Sequence, residues 1–353
     1  MFALFISFVL LLSFSPVIAF NYCYPIVAVD NQGFLATYQK NLGDLELWRI
    51  FPENGKCEKC LDWRFAPSGL KVLPDQSGFS FIDTGQLRIK KFIMRSPKIV
   101  EFGLPLHGIG DLNWIDQDNC FFSAKQHQHF AIYKGSITNS QKLTSCKESA
   151  VFDYLMPNLV DQSLFYIERQ ISNRSCRIER FNIIRPNQSV ELILDCNYQQ
   201  VIHLQMFDSN SGFYIEHMPY LKDQVQMIGF IGHLFCNSEN QWREAGQFKF
   251  QIPKQFLLGE ARAQESIGIF WPVVKKTALY FINFKQNQGG EYIGSLNCYD
   301  LATGKIIPIL ESDSKVWPCG LLIWQNRLYY GKILEEGLNQ KNFETDLLNF
   351  IEL

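Results

Sequence analysis

Two recurring runs keep step with each other along this chain, and they restrict its fold more than any other feature. The first run is aromatic: Gly33-Phe34-Leu35, Gly78-Phe79-Ser80-Phe81, Cys120-Phe121-Phe122, Leu164-Phe165-Tyr166, Gly212-Phe213-Tyr214, Leu279-Tyr280-Phe281 and Leu328-Tyr329-Tyr330. The leading Phe or Tyr falls at 34, 79, 121, 165, 213, 280 and 329, giving steps of 45, 42, 44, 48, 67 and 49. The second run begins at Leu45, Leu87, Phe130, Cys176, Val225, Ser295 and Leu347, with steps of 42, 43, 46, 49, 70 and 52. Both series lengthen at the same place. A period of this size marks a repeat architecture in which each unit is one supersecondary element.

The unit is clearest in Ala278 to Leu310. Leu279 to Asn283 is rich in β-branched and aromatic residues, Gln286 to Gly290 is a loop, and Tyr292 to Tyr299 is a second strand. A turn at Ala302-Thr303-Gly304-Lys305 leads to Ile306 to Leu310. Gly304 can take positive φ without steric cost, as a tight hairpin requires. Other units add a strand ahead of the aromatic run (Pro25 to Val29, Leu70 to Leu73, Leu321 to Trp324) or behind it (Ile99 to Phe102, Glu191 to Cys196). Four short antiparallel strands per period predict a propeller blade. The expected fold is all-β, a single propeller of seven four-stranded blades over residues 20–353. The last unit stops at its third strand, so Phe20 to Tyr24 is expected to supply the missing outer strand and close the ring by pairing of the chain termini. Two stretches exceed the period. Gly232 to Gly246 reads as an expanded loop between the third and fourth strands, and Lys254 to Phe270 as an expanded blade connection with room for a short helix at Gln255 to Ala263.

Residues 1–19 are apolar, uncharged and end in Val17-Ile18-Ala19, the pattern of a secretory signal peptide cut after Ala19, although Lys and Arg are missing from its start. An uncleaved anchor is the alternative; Ser13, Ser15 and Pro16 speak against it. No later stretch is apolar enough to span a bilayer, so the expected location is periplasmic or secreted. A net charge of −2 argues against a nucleic-acid partner, which needs a basic face. Of the cysteines, Cys57-Glu58-Lys59-Cys60 has no second pair and no strand-helix setting, so neither zinc nor redox chemistry follows. Cys176 and Cys196 flank a turn at Arg185-Pro186-Asn187-Gln188 and form a candidate disulfide; two buried free thiols are the other reading. Asn173-Arg174-Ser175 and Asn187-Gln188-Ser189 are glycosylation sequons.

Tyr299-Asp300-Leu301-Ala302-Thr303-Gly304-Lys305, its echo from Trp48 to Lys56, and Phe79-Ser80-Phe81-Ile82-Asp83-Thr84-Gly85-Gln86-Leu87 resemble the exported bacterial propeller repeats of the TolB-like and YVTN/quinoprotein-type families. The resemblance implies the fold and a role in periplasmic binding or assembly. It departs from TolB in having no room for a preceding α/β domain, and from quinoproteins in lacking their regular Trp motifs, so no cofactor residues carry over.

The blade connections are aromatic: Asp62-Trp63-Arg64-Phe65, Leu106-His107, Phe152-Asp153-Tyr154, Trp271-Pro272 and Trp317-Pro318, with Arg262 in the long connection. Trp63, Arg64, His107, Tyr154, Arg262, Trp271 and Trp317 are therefore candidate binding residues around a channel mouth, since Trp and Arg dominate binding hot spots. The competing reading is that these aromatics wedge between blades as packing. His127-Gln128-His129 offers two metal ligands on one face but no third, so no metal is expected. Gly-x-Ser-x-Gly is absent. The sequence thus favours an exported, monomeric, non-enzymatic propeller without a cofactor that binds a protein or peptide. The alternative is a channel-centred enzyme of lactonase or quinoprotein-like type, which needs metal or quinone ligands converging on the axis.

Overall fold

In the computed structural model the described residues are 20–40, 44–63, 68–83, 88–94, 98–102, 107–126, 129–136, 139–144, 147–148, 150–170, 175–186, 190–197, 201–218, 226–256, 270–312, 316–335 and 349–353. They form seven antiparallel blades in a ring. Blade 1 is Phe20–Ala28, Phe34–Lys40, Asp44–Phe51 and Lys56–Trp63. Blade 4 is Ala150–Asn158, Ser163–Gln170, Ser175–Asn182 and Val190–Asn197, and blades 2, 3, 5 and 6 repeat this meander. First strands pack against first strands of neighbouring blades, which puts them around the axis.

Burial explains why the aromatic series is continuous rather than alternating. A second strand is covered on both faces by adjacent blades, so apolar residues run consecutively through its middle, with a few buried polar side chains such as Ser80, Ser123 and Glu168. Leu164, Phe165, Tyr166 and Ile167 are all buried in blade 4, as are Leu279, Tyr280, Phe281 and Ile282 in blade 6. Outer strands face solvent, and Ile306–Glu311 is almost wholly exposed. Three of the seven aromatic runs open with glycine because a neighbouring strand crowds that position: third-strand backbone at Gly33 and Gly78, the first-strand Gln205 carbonyl and the Phe235 ring at Gly212. A Cβ at Gly78 would collide with the Phe92 carbonyl oxygen, and one at Gly33 with the Ile50 carbonyl oxygen. Gly78→Ala is expected to lower stability by about 3 kcal/mol, because a central ladder must shift to accept it. A denaturant melt showing less than about 1 kcal/mol would contradict this reading.

Ring closure follows the expected partners with a different placement. Phe20 to Cys23 pair with Glu335 to Lys332 on the second strand of blade 7. The short strand Asn349–Glu352 pairs with Tyr330 to Arg327 on the same edge. Both chain ends therefore share the third-strand position, end to end, instead of the N-terminus supplying a fourth strand. The pairing fuses the first and last blades into one seven-stranded sheet.

The expected loop at 232–246 is a hairpin. Met227–Ser238 and Gln241–Pro253 pair continuously around Glu239 and Asn240, which have φ of 57° and 61°. Positive φ at both central residues is the tight turn that matches strand twist. Gly232 is inside the ladder because the Phe248 ring lies over it. The extension bends toward blade 4, where the Trp242 indole donates to Glu191 at 2.8 Å and packs against Phe165. Of the connection expected at 254–270, Lys254–Phe256 forms a 3-10 turn and 257–269 lie outside the described residues, as do residues 1–19, His127 and both sequon asparagines.

Candidate ligand site on the propeller axis

Six of the seven first strands carry a register slip, at Pro25/Val27, Ser68/Lys71, around Asp111, at Asp153/Met156, Val201/His203 and Cys319/Leu321. A bulge re-aims a side chain out of the alternating pattern. In blade 7 the bulged residue is Gly320, at φ 55°. Blade 4 places Tyr154 in the same left-handed conformation, also at φ 55°. A bulky residue held there is strained, and such strain gathers at ligand sites.

Tyr154 reaches across to blade 5, its hydroxyl donating to the Ile202 carbonyl. Its ring stands edge-on to His203 at 5.6 Å, and Trp271, just ahead of the first strand of blade 6, stacks on the other side of His203 at 4.8 Å. Phe213 closes the box at 5.6 Å. Both His203 ring nitrogens are buried without a hydrogen-bond partner among the described residues, with the Gln205 side chain close enough only to favour the cation weakly. Burial, aided by the Lys71 ammonium, brings the His203 pKa down to about 3, so the ring is neutral.

Charge surrounds this box. Lys71 of blade 2 acts on both His203 and Asp111. Burial pushes the Asp111 carboxyl up, while Lys71 and two backbone N–H groups pull the other way. Its oxygens accept from Leu112 at 2.8 Å and Leu155 at 2.6 Å, tying blade 3 to blade 4. Asp153 is held by Arg169 at 2.8 Å. Among the described residues no three His, Cys, Asp or Glu side chains converge as metal ligands.

Only two of the candidates from the sequence, Tyr154 and Trp271, meet here. Trp317 is in the first strand of blade 7 but turns into the wall: it is 5 % exposed, its indole donates to the Tyr292 carbonyl at 2.8 Å, and it packs on Phe256. That is the wedge expected of an inter-blade aromatic. Trp63 ends the outer strand of blade 1 and His107 begins the inner strand of blade 3, so the two do not occupy equivalent positions. Arg64 and Arg262 lie outside the described residues. The residue missed from sequence is His203. It precedes the aromatic run of its unit by ten residues, as Asp111 does in unit three, and that offset was the available signal.

Cys176 and Cys196 stand directly opposite each other in blade 4, both as free thiols. A hydrogen bond between them pulls the Cys176 thiol down and pushes Cys196 up.

No family model and no curated protein matches the sequence. Solved structures do. A puromycin-hydrolysing peptidase of Mycobacterium tuberculosis aligns over 89% of this chain at 9% identity and a TM-score of 0.57. The match takes in 49% of that protein, so this chain spans about half its length. An oligogalacturonate lyase in complex with manganese aligns over 90% of both chains at 8% identity and a TM-score of 0.51. TolB from Acinetobacter baumannii aligns over 84% of this chain and 64% of its own, at 10% identity and a TM-score of 0.47. The structure itself defines the class, a seven-bladed propeller, and the peptidase and lyase share that fold. At such identities they show the fold alone.

Proposed function

We propose that this chain is an exported propeller that binds a protein or peptide partner at the axial box of Tyr154, His203 and Trp271. The observation that supports this is the neutral His203 with both nitrogens unpartnered between aromatic walls. A neutral imidazole offers one donor and one acceptor, the complement of a peptide group. Lys71 favours an acidic side chain or a terminal carboxylate next to it. The aromatic faces supply rigid contact area. Export rests on the signal-like residues 1–19; among the described residues no helix is long and apolar enough to cross a membrane. In an oxidising compartment we infer that Cys176 and Cys196 close a disulfide, since directly opposed strand residues lie within bridging range.

Short acidic peptides titrated against tryptophan fluorescence test the binding. Trp271→Ala and His203→Phe should each weaken binding by about 2 kcal/mol, as expected of hot spots. Peptides that bind both variants as tightly as the parent would overturn the assignment. A channel-centred enzyme is the second reading. It is favoured by the Lys71 and Asp111 side chains beside a neutral histidine, and by the peptidase and lyase that share the fold. Turnover of a bound peptide, lost in His203→Phe, would establish it.

A further inference from the structure

The seam between the last and first blades differs from the other seams. Blade 7 has Asn349–Glu352 and Phe20 to Cys23 in its third position; Tyr22 and Cys23 go on to pair with Gln39 and Tyr38 of blade 1, whereas no strand pairs beyond Asn349–Glu352 among the described residues. Blade 1 continues outward through Asp44–Phe51 and Lys56–Trp63. The outer part of the seam therefore has wall on one side and less on the other. A cavity of about 180 Å³ lies there, lined by Phe34, Trp48, Cys57, Arg327, Tyr329 and Phe350 among others. A cavity of about 150 Å³ holds benzene, so this one takes a single substituted ring.

Its polar end is specific. Tyr329 is 4 % exposed, with its ring 4.8 Å from Phe34 and 5.6 Å from Phe350. Its hydroxyl is buried within reach of the Arg327 guanidinium, from which its oxygen can accept, but its own O–H finds no acceptor among the described residues. Buried hydroxyls are ordinarily paired, so one left open and lining a cavity calls for an acceptor. Arg327 lies over the Phe350 ring at 4.7 Å and pairs with Glu352 at 2.7 Å. The Glu352 side chain is 64% exposed, and an exposed ion pair is weak enough to share its guanidinium. Aromatic walls with one phenolic donor and one guanidinium at the same end match a ring bearing a carboxylate. We propose that the seam cavity is a binding site for a monocyclic aromatic carboxylate, with the ring between Phe34, Trp48 and Phe350 and the carboxylate at Tyr329 and Arg327. The site is separate from the axial box and does not rest on its assignment.

The probe is benzoate, with toluene as the uncharged control, measured by calorimetry and by melting temperature on the full chain. One saturable benzoate site that raises the melting temperature is expected, with toluene at least tenfold weaker. Tyr329→Phe keeps the ring and should weaken benzoate at least tenfold while the unliganded protein melts as before. Cys57→Trp fills the half-buried mouth and should abolish binding. Absence of benzoate binding, toluene binding as tight as benzoate, or binding that survives Cys57→Trp would each overturn the proposal. So would binding that is lost in Lys71→Met, because that would place benzoate at the axis.

Discussion

A chain that begins at Pro25 instead of Phe20 is expected to melt roughly 10 °C lower. Removing residues 20–24 takes away the pairing of Phe20 to Cys23 with the second strand of blade 7 and that of Tyr22 to Tyr24 with Gln39 to Thr37. Several ladder hydrogen bonds at about 1 kcal/mol each, plus burial of Cys23, amount to about 5 kcal/mol. At about 2 °C or more per kcal/mol, that gives the stated shift. Cys319, in the first strand of blade 7, is also buried against Cys23, with its thiol 3.6 Å from the Cys23 carbonyl oxygen. Calorimetry on chains starting at 20 and at 25 checks this. Equal melting curves would mean that the terminal pairing does not hold the ring.

The second large effect is acid sensitivity at the axis. His203 has a folded pKa near 3, well below its unfolded value of about 6.5. Between these values the unfolded chain binds the proton and the folded protein does not. Stability contributed by keeping the ring neutral is therefore complete above about pH 6.5 and declines as the pH falls toward 3. From pH 7 to 4.5 the loss is about 2 kcal/mol once partial exposure is allowed for. Asp111 acts with the opposite sign, because burial raises its pKa and folding then favours its protonated form. Comparing the parent with His203→Phe over this range removes Asp111 from the difference. The variant should show the flatter slope, and parallel pH profiles would show that His203 is free to protonate in the folded state.

Much of the ring was legible because its second strands are enclosed on both faces. Leu164 to Ile167 and Leu279 to Ile282 had to be apolar at every position, and that constraint produced the phase-locked aromatic runs. The long hairpin of blade 5 was not legible. Gly232 and the polar residues from Asn237 to Arg243 carry loop composition, but the glycine makes room for Phe248 and the polar tip surrounds a two-residue turn. Trp317 and Trp271 looked equivalent in sequence, since each precedes a proline. What separates them is direction: one indole donates into the blade wall, the other stacks over His203. Trp271 lies ahead of its first strand and Trp317 within its own, and no residue type reports that offset. Nor does residue type report the conformation of Tyr154, which blade 7 gives to Gly320.

The shared third-strand position also sets an order of events during synthesis. Phe20 to Cys23 leave the ribosome about 310 residues ahead of their partners Lys332 to Glu335. Until then the leading strand has an unsatisfied edge. Contacts this distant in sequence close slowly, and exposed edges invite wrong partners in the interval. If residues 1–19 are a leader, an attached leader would keep Phe20 from being a free end at the joint. The ring's stability and its vulnerability while forming then come from the same few residues, and a chaperone that shields the N-terminal strand would raise yield without changing the melting temperature of the finished protein.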